Sequence, residues 1–319
     1  MENTENFEAV MPDEWAGQRI DQALAKLFPD YSRSRLQTWL KNGQILINGE
    51  VKRAKEKVIG GENVVCQVTL ISENSWEPED IPLNIIYEDE ALLVVNKPAG
   101  MVVHPAVGNY KGTMLNALLH YDPSLEAIPR AGIVHRLDKE TSGILVVART
   151  LTSQKCLVEQ LQARTFLREY DAIIKGSVTA GNTINERIGR HPINRKRMAV
   201  NDKGKTAITH FRVSERYRLH TKLTVKLETG RTHQIRVHMA HIGHPLLGDP
   251  VYAGRFRIPA ASDDDFIQNL KAFKRQALHA RHLGLEHPLT HEFIDWEVEV
   301  PQDMLDIQDV LRLDTKKHK

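Results

Sequence analysis

Gly132-Ile133-Val134-His135-Arg136-Leu137-Asp138-Lys139-Glu140-Thr141-Ser142-Gly143-Ile144-Leu145-Val146-Val147-Ala148 decides how the rest of the chain is read. Two apolar, β-rich runs, Ile133-Val134 and Ile144 to Ala148, bracket a polar loop with a single Asp. Unbroken Val, Ile and Leu runs predict strands buried on both faces. A loop pinned between such strands is held rigidly, as a reacting side chain requires. An Asp in a loop most often bonds its own backbone. Here His135, Arg136, Asp138, Lys139, Glu140, Thr141 and Ser142 gather far more donors and charges than a turn needs. Loops on rigid scaffolds tend to carry function.

Outward from that stretch, 319 residues are too many for one small core and predict two domains. A net charge of +2 excludes a general polycation. Basic character is local, with Arg187, Arg190, Arg195, Lys196, Arg197, Lys203 and Lys205 set against Glu186 and Asp202. An anionic polymer would find such a cluster, although a solvated loop has the same composition. Cys66 and Cys156 lie far apart without C-x-x-C spacing, so neither a disulfide framework nor a zinc site is indicated, and buried filler is expected. The acidic, polar N-terminus is unlike a secretory signal, and no apolar run approaches the ~20 residues that span a bilayer. A cytoplasmic protein is expected.

Residues 1–12 read as a flexible tail and 13–70 as a compact module. Ile20, Leu24 and Leu27 recur at helical spacing before Pro29. Ser32 is the expected N-cap of a second helix with Leu36, Trp39 and Leu40, closed by Gly43. Arg33 and Arg35 fall in its first turn, where the helix dipole disfavours cations unless they and the helix start share a phosphate. Asn48-Gly49 is a hairpin signal, and Asn63 to Leu70 a closing strand. Residues 71–80 read as a polar linker, 81–305 as the main domain, and 306–319 as a helical, frayed tail. Within the main domain, strands are expected over 84–96 about a Glu-Asp-Glu turn, and over 166–174, 207–213, 223–227 and 293–300. Helices are expected over 114–119, 153–164 and 266–278, with another entered through Glu228 to Met239.

Several chemistries are excluded. His233, His238, His241 and His244 match no zinc signature and have no acidic ligand among them. Neither a phosphate-binding P-loop nor a Gly-x-Ser-x-Gly elbow occurs. Lys139 stands where an aspartyl-phosphate enzyme would want a second acid for magnesium.

Arg19-Ile20-Asp21, Ser32-Arg33-Ser34-Arg35 and Ile47-Asn48-Gly49 resemble the α-L RNA-binding module of a small-subunit ribosomal protein and bacterial tyrosyl-tRNA synthetases. Three motifs in order, His135-Arg136-Leu137-Asp138 with Thr141-Ser142-Gly143, then Arg168-Glu169-Tyr170-Asp171-Ala172, then Gly230 to Met239, resemble the RNA pseudouridine synthases of the ribosomal large-subunit type. That resemblance, from about Trp15 to about Pro301, implies an α/β (α+β) catalytic domain on a mixed, largely antiparallel sheet. It implies isomerisation of uridine in large-subunit (23S) ribosomal RNA, with helix 69 as the target stem-loop. The same motifs also fit a transfer RNA substrate, or a non-catalytic ribosome assembly factor.

By the same resemblance Asp138 is the catalytic carboxylate, Arg236 its partner, and Tyr170 stacks on the uracil. The reaction oxidises and consumes nothing, so no cofactor or metal is expected. A free Asp, with a pKa of ~3.9, is already ionised at neutral pH, and a guanidinium can hold it in fork geometry. Arg136 would fill the space a displaced base leaves. RNA contacts are further expected from His135, Arg231, His233, Arg33, Arg35, Arg195, Lys196 and Arg197. The expected partner is large-subunit RNA, free or in a pre-50S or 50S particle, bound by a monomer.

Overall fold

The chain divides into two compact units, residues 1–75 and 76–319. The computed structural model describes residues 3–29, 31, 33–70, 76–105, 109–194, 197–255, 258 and 260–318.

The first unit comprises β1 (Asn3–Val10), α1 (Ile20–Leu27), α2 (Arg33–Lys41), β2 (Ile45–Ile47) and β3 (Asn63–Leu70), with the strands in antiparallel order β1-β3-β2. The expected N-terminal tail is therefore a strand. Its Phe7 pairs with Cys66 across β3 and packs on the rings of Phe28 (4.9 Å) and Tyr31 (5.5 Å), contacts that offset the entropy of ordering a terminus. Ser32, the expected N-cap, and the side chain of Arg35 lie outside the described residues. Asn48 and Gly49 both take positive φ, as the tight hairpin turn requires, and Ile47 and Glu50 exchange backbone bonds across it. Asp21 is the polar hub of this unit: Arg19, Arg33 and Gln37 all donate to it. Burial alone would raise the Asp21 pKa, but these bonds together outweigh it and hold the carboxyl down at about 2.

In the second unit, β4 (Ile85–Glu88), β5 (Leu92–Lys97), α3 (Met114–Tyr121), β6 (Ser142–Ala148), α4 (Leu151–Ala163) and β7 (Leu167–Lys175) come first. They are followed by β8 (Asn182–Asn185), β9 (Ile188–Arg190), β10 (Met198–Val200), β11 (Ile208–Arg216), β12 (His220–Leu227) and α5 (Gln234–His241). The last elements are α6 (Asp264–Ala272), β13 (Leu278–Glu286), β14 (Phe293–Glu297) and α7 (Gln302–Lys317). One sheet runs β4-β5-β6-β13-β7-β12-β11-β8, with β14 added to β13. Its β6–β13 pair is parallel and the rest antiparallel, so the mixed, largely antiparallel sheet is as the resemblance implies. Every residue of β6 is buried, each large aliphatic side chain contributing about 1.5–3 kcal/mol.

Four expectations need correction. Trp76 packs on the core, edge-on to the His104 ring at 5.6 Å, and Asn116 bonds the backbone of Glu77 and Glu79, so residues 76–80 belong to the second unit rather than to a linker. The basic stretch from Glu186 to Lys205 contains an antiparallel pair, β9 with β10, where a loop was expected. The helix expected over 266–278 is α6, which stops at Ala272: Arg275 turns away to grip Asp303 through Nε and Nη2. The expected frayed tail is α7, whose Met304, Ile307 and Leu311 pack with Phe266 and Leu270.

Two glycines fix the central stretch. At Gly132 (φ 76°) a Cβ would lie 1.9 Å from Ala148 O, and at Gly143 (φ 117°) 2.1 Å from Ala280 O. Gly143, Ala280 and Tyr170 form one row across β6, β13 and β7, so small residues let the strand after the Asp138 loop lie close to Tyr170. Gly143→Ala is expected to cost more than about 3 kcal/mol by forcing β6 from β13. A thermal melt within 2 °C of the parent would refute this.

Candidate active site

The Asp138 loop is fastened from both sides. Thr141 N–H closes a turn onto Asp138 O at 3.0 Å. Lys97 is fully buried beneath it, and its Nζ donates to the carbonyls of Pro98 (2.7 Å), Met101 (3.0 Å) and Lys139 (3.1 Å). Burial pulls the Lys97 pKa down to about 8, although the charges of Glu140 and Asp138 act in the opposite sense. From the other side Gln276 Nε2 donates to Thr141 Oγ1 (3.1 Å), and Arg275 Nη1 to Glu140 O (3.2 Å). His135 Nε2 accepts the N–H of Val146 at 3.1 Å and its ring meets Phe166 edge-on. Burial, aided by Arg168, lowers the His135 pKa to about 3. The ring is therefore neutral, with its Nε2 committed to β6, so the RNA contact expected of His135 would not be a charged one.

Asp138 meets Arg236, which projects from α5. Arg236 Nη1 donates to Asp138 Oδ2 at 2.9 Å, while Nε and Nη2 form a fork onto Asp249 at 2.7 and 3.0 Å. Asp249 is itself set by the N–H groups of Val251 (2.8 Å) and Tyr252 (3.0 Å). The Tyr252 ring lies under the guanidinium at 5.1 Å. Burial opposes the charge on Arg236, but the bonds and charges of Asp249 and Asp138 outweigh it and raise its pKa. The arginine is 5 % exposed and the Asp138 side chain 15 %, so the carboxylate keeps an open face.

His233 stands 3.9 Å from the other carboxylate oxygen, in a left-handed backbone conformation at the start of α5. Tyr252 Oη accepts the Met198 N–H and lies 2.8 Å from His233 Nδ1, to which its own proton is free to point. Burial lowers the His233 pKa despite the nearby Asp138. Gln234 fixes the entry to α5, accepting from Thr229 and Arg231 N–H and donating to Ile208 O. His238 is held by Thr209 and by Glu186 O, and no group of residues suited to a metal occurs among the described residues.

Tyr170 is buried on β7, and its hydroxyl has no hydrogen bond among the described residues. Burial raises its pKa, Arg168 lowers it, and Asp138 raises it further, which places the phenol within reach of the carboxylate's field. Arg136 is exposed and makes neither hydrogen bond nor ion pair among the described residues; no pair to Glu140 forms. Arg231 donates to Thr206 O, and Arg197 stacks on Tyr252. Arg195 and Lys196 lie outside the described residues. Arg33, in the first unit, donates to Asp21 through Nε and Nη2, and its side chain stays half-exposed. Asp249 and Lys97 were missed. Gly248-Asp249 after His244-Pro245 and Lys97-Pro98-Ala99-Gly100 stand out only as turns, and nothing in their spacing points at Asp138.

Residues 91–241 match the RNA pseudouridylate synthase family and 18–64 the S4 domain. The chain is 54% identical over 312 residues to ribosomal large subunit pseudouridine synthase D of Escherichia coli O6:H1, covering 98% of this chain and 96% of that one. Identity to the Pseudomonas aeruginosa protein of the same name is 53%, over 96% of each chain. Among solved structures, human RNA pseudouridylate synthase domain containing 1 aligns with TM-score 0.53 and 26% identity, over 72% of this chain and 86% of that one.

Two outcomes follow from the geometry. Asp249→Asn removes the charge that orients Arg236, so turnover should fall about 100-fold, the effect of an ångström-scale misplacement, with the fold retained; single-turnover rates within threefold of the parent would exclude this. The Lys97 pKa is depressed in the folded state, so between pH 8 and 10.5 the unfolded chain holds a proton the folded one releases. Stability should then rise with pH through that window by up to about 3 kcal/mol relative to Lys97→Met. Parallel urea-denaturation curves for the two proteins at pH 8, 9 and 10 would contradict it.

Proposed function

Since the chain belongs to the RNA pseudouridylate synthase family, we propose that it isomerises uridine to pseudouridine in large-subunit ribosomal RNA, with Asp138 as the catalytic carboxylate. The observation that carries this reading is the 2.9 Å pair of Asp138 with Arg236, whose carboxylate charge reaches the buried Tyr170. The Asp138 carboxylate, with one face open, can attack C1′ of the ribose or take the C2′ proton. Either route breaks the bond from N1 to C1′ and needs a charged oxygen at a fixed position, which the shared arginine supplies.

Tyr170 offers a flat ring for the uracil. Arg136, exposed and unpaired among the described residues, would occupy the space of the displaced base. His233 and Arg231 line the approach from α5, and Arg195, Lys196 and Arg197 belong to the basic segment that would meet phosphate. The matched S4 segment gives the first unit its role as an RNA grip, with the outward edges of half-exposed Arg19 and Arg33 available to phosphate. The reading extends to the helix 69 stem-loop as the target and to a cytoplasmic monomer that works without cofactor.

The test is to incubate the protein with unmodified large-subunit RNA in EDTA and map pseudouridine. Discrete sites in helix 69 are expected, abolished by Asp138→Asn with RNA affinity within about threefold of the parent; substantial residual turnover in that variant would remove Asp138 from the mechanism. Product only on transfer RNA would overturn the substrate assignment. Deleting residues 1–75 should weaken binding to long RNA more than turnover on an isolated stem-loop, and an unchanged rate on intact RNA would deny the first unit its role.

A further inference from the structure

All but one of the buried arginines described in the second unit have carboxylate partners: Arg236 has two and Arg275 has Asp303. Arg168 differs. It is 5 % exposed, yet no carboxylate lies within ion-pair distance of it among the described residues. Its Nη2 donates to Glu228 O at 2.9 Å, while its Nε is buried without an acceptor. The Glu228 carboxylate is taken by His210 and Arg164. A buried guanidinium cannot shed its proton, so it stays charged at a cost unless an anion joins it.

The position of this cation is specific. Arg168 precedes Tyr170 by two residues on β7, and alternation turns both side chains to the same face. Its charge acts on Tyr170 and His135. A Cβ at Gly230 would come within 2.9 Å of Arg168 Nη1, so the glycine that opens Gly230-Arg231-Thr232 makes room for the guanidinium. Arg236 already lies between two carboxylates and has no charge to spare for a third anion.

We propose that Arg168 is a catalytic residue that takes up the negative charge of the detached uracil. The inference rests on the isomerase reading above. When the bond from N1 to C1′ breaks, its electron pair stays on the base, giving a uracil anion spread over N1, O2 and O4. C1′ is then bonded to an Asp138 oxygen, or becomes part of a glycal if Asp138 has taken the C2′ proton. The anion turns and C5 bonds to C1′, which returns Asp138 to its starting state. C5 then loses its proton and N1 gains one. Through the turn, the base is an anion that must neither leave nor be protonated early, and the unpaired guanidinium holds it.

Arg168→Gln should slow single-turnover product formation about 100-fold on uridine stem-loop RNA with binding unchanged, and Arg168→Lys should restore most of the rate. 5-Fluorouracil is a more acidic leaving base and needs less help, so on the 5-fluorouridine substrate, whose C5 has fluorine in place of a proton and whose reaction is read as single-turnover cleavage of the N1–C1′ bond, the deficit should shrink at least fivefold. C5-deuterated uridine should show no primary isotope effect in the variant. An equal deficit on both substrates would reduce Arg168 to a structural role. A primary isotope effect appearing in the variant would assign it to C5 proton removal through Tyr170 instead. Should Arg168→Gln not fold, the same comparisons are made on Arg168→Met, which keeps the apolar stem of the side chain and removes its charge. Inactivity of the parent protein on this RNA would count against the isomerase reading rather than against Arg168.

Discussion

Everything at the site depends on one guanidinium divided between two carboxylates. Arg236 gives its planar fork to Asp249 and its remaining edge to Asp138. A single arginine–aspartate contact could pivot; three bonds from one rigid plane cannot. Asp249 is fixed in turn by two backbone N–H groups, so orientation passes from a turn, through a carboxylate and a guanidinium, to the Asp138 carboxylate. Such an arrangement brings more buried charge than an apolar core would, and removing one partner leaves the others uncompensated. Its use is positional.

The surrounding sheet is built to the same end. β13 joins the two sheet halves, and Gly143, Ala280 and Tyr170 align across β6, β13 and β7. Lys97 gathers three carbonyls from both sides of the loop, doing with one ammonium what several backbone bonds would otherwise have to do. In the first unit Asp21 repeats the device with opposite sign, one carboxylate drawing in Arg19, Arg33 and Gln37.

Much of this was legible in the residues because periodicity and motif spacing are local. The buried strands around the Asp138 loop could be read from their apolar runs, while the sheet type and Arg236 as the partner of Asp138 came only from the resemblance that the three ordered motifs carry. What could not be read depends on contacts far apart in the chain. Whether residues 3–10 hang free or pair is decided by β3, some sixty residues on. Asp249 gains its meaning from Arg236, and His135 its tie to β6 from the Val146 N–H. The bond of Arg33 to Asp21 was out of sight for the same reason, since its partner comes from a different helix.

The pairing of β6 with β13 also sets an order of events. Residues 142–143 wait for residues 279–280, and Asp138 waits for Arg236, so well over a hundred residues must leave the ribosome before the site can close. At about 5–20 residues per second that interval is on the order of ten seconds. The first unit, whose contacts close within its own seventy-odd residues, can fold during that time. A nascent chain is thus able to hold RNA before it is able to alter it, and the carboxylate acquires its countercharge only when most of the chain has been made.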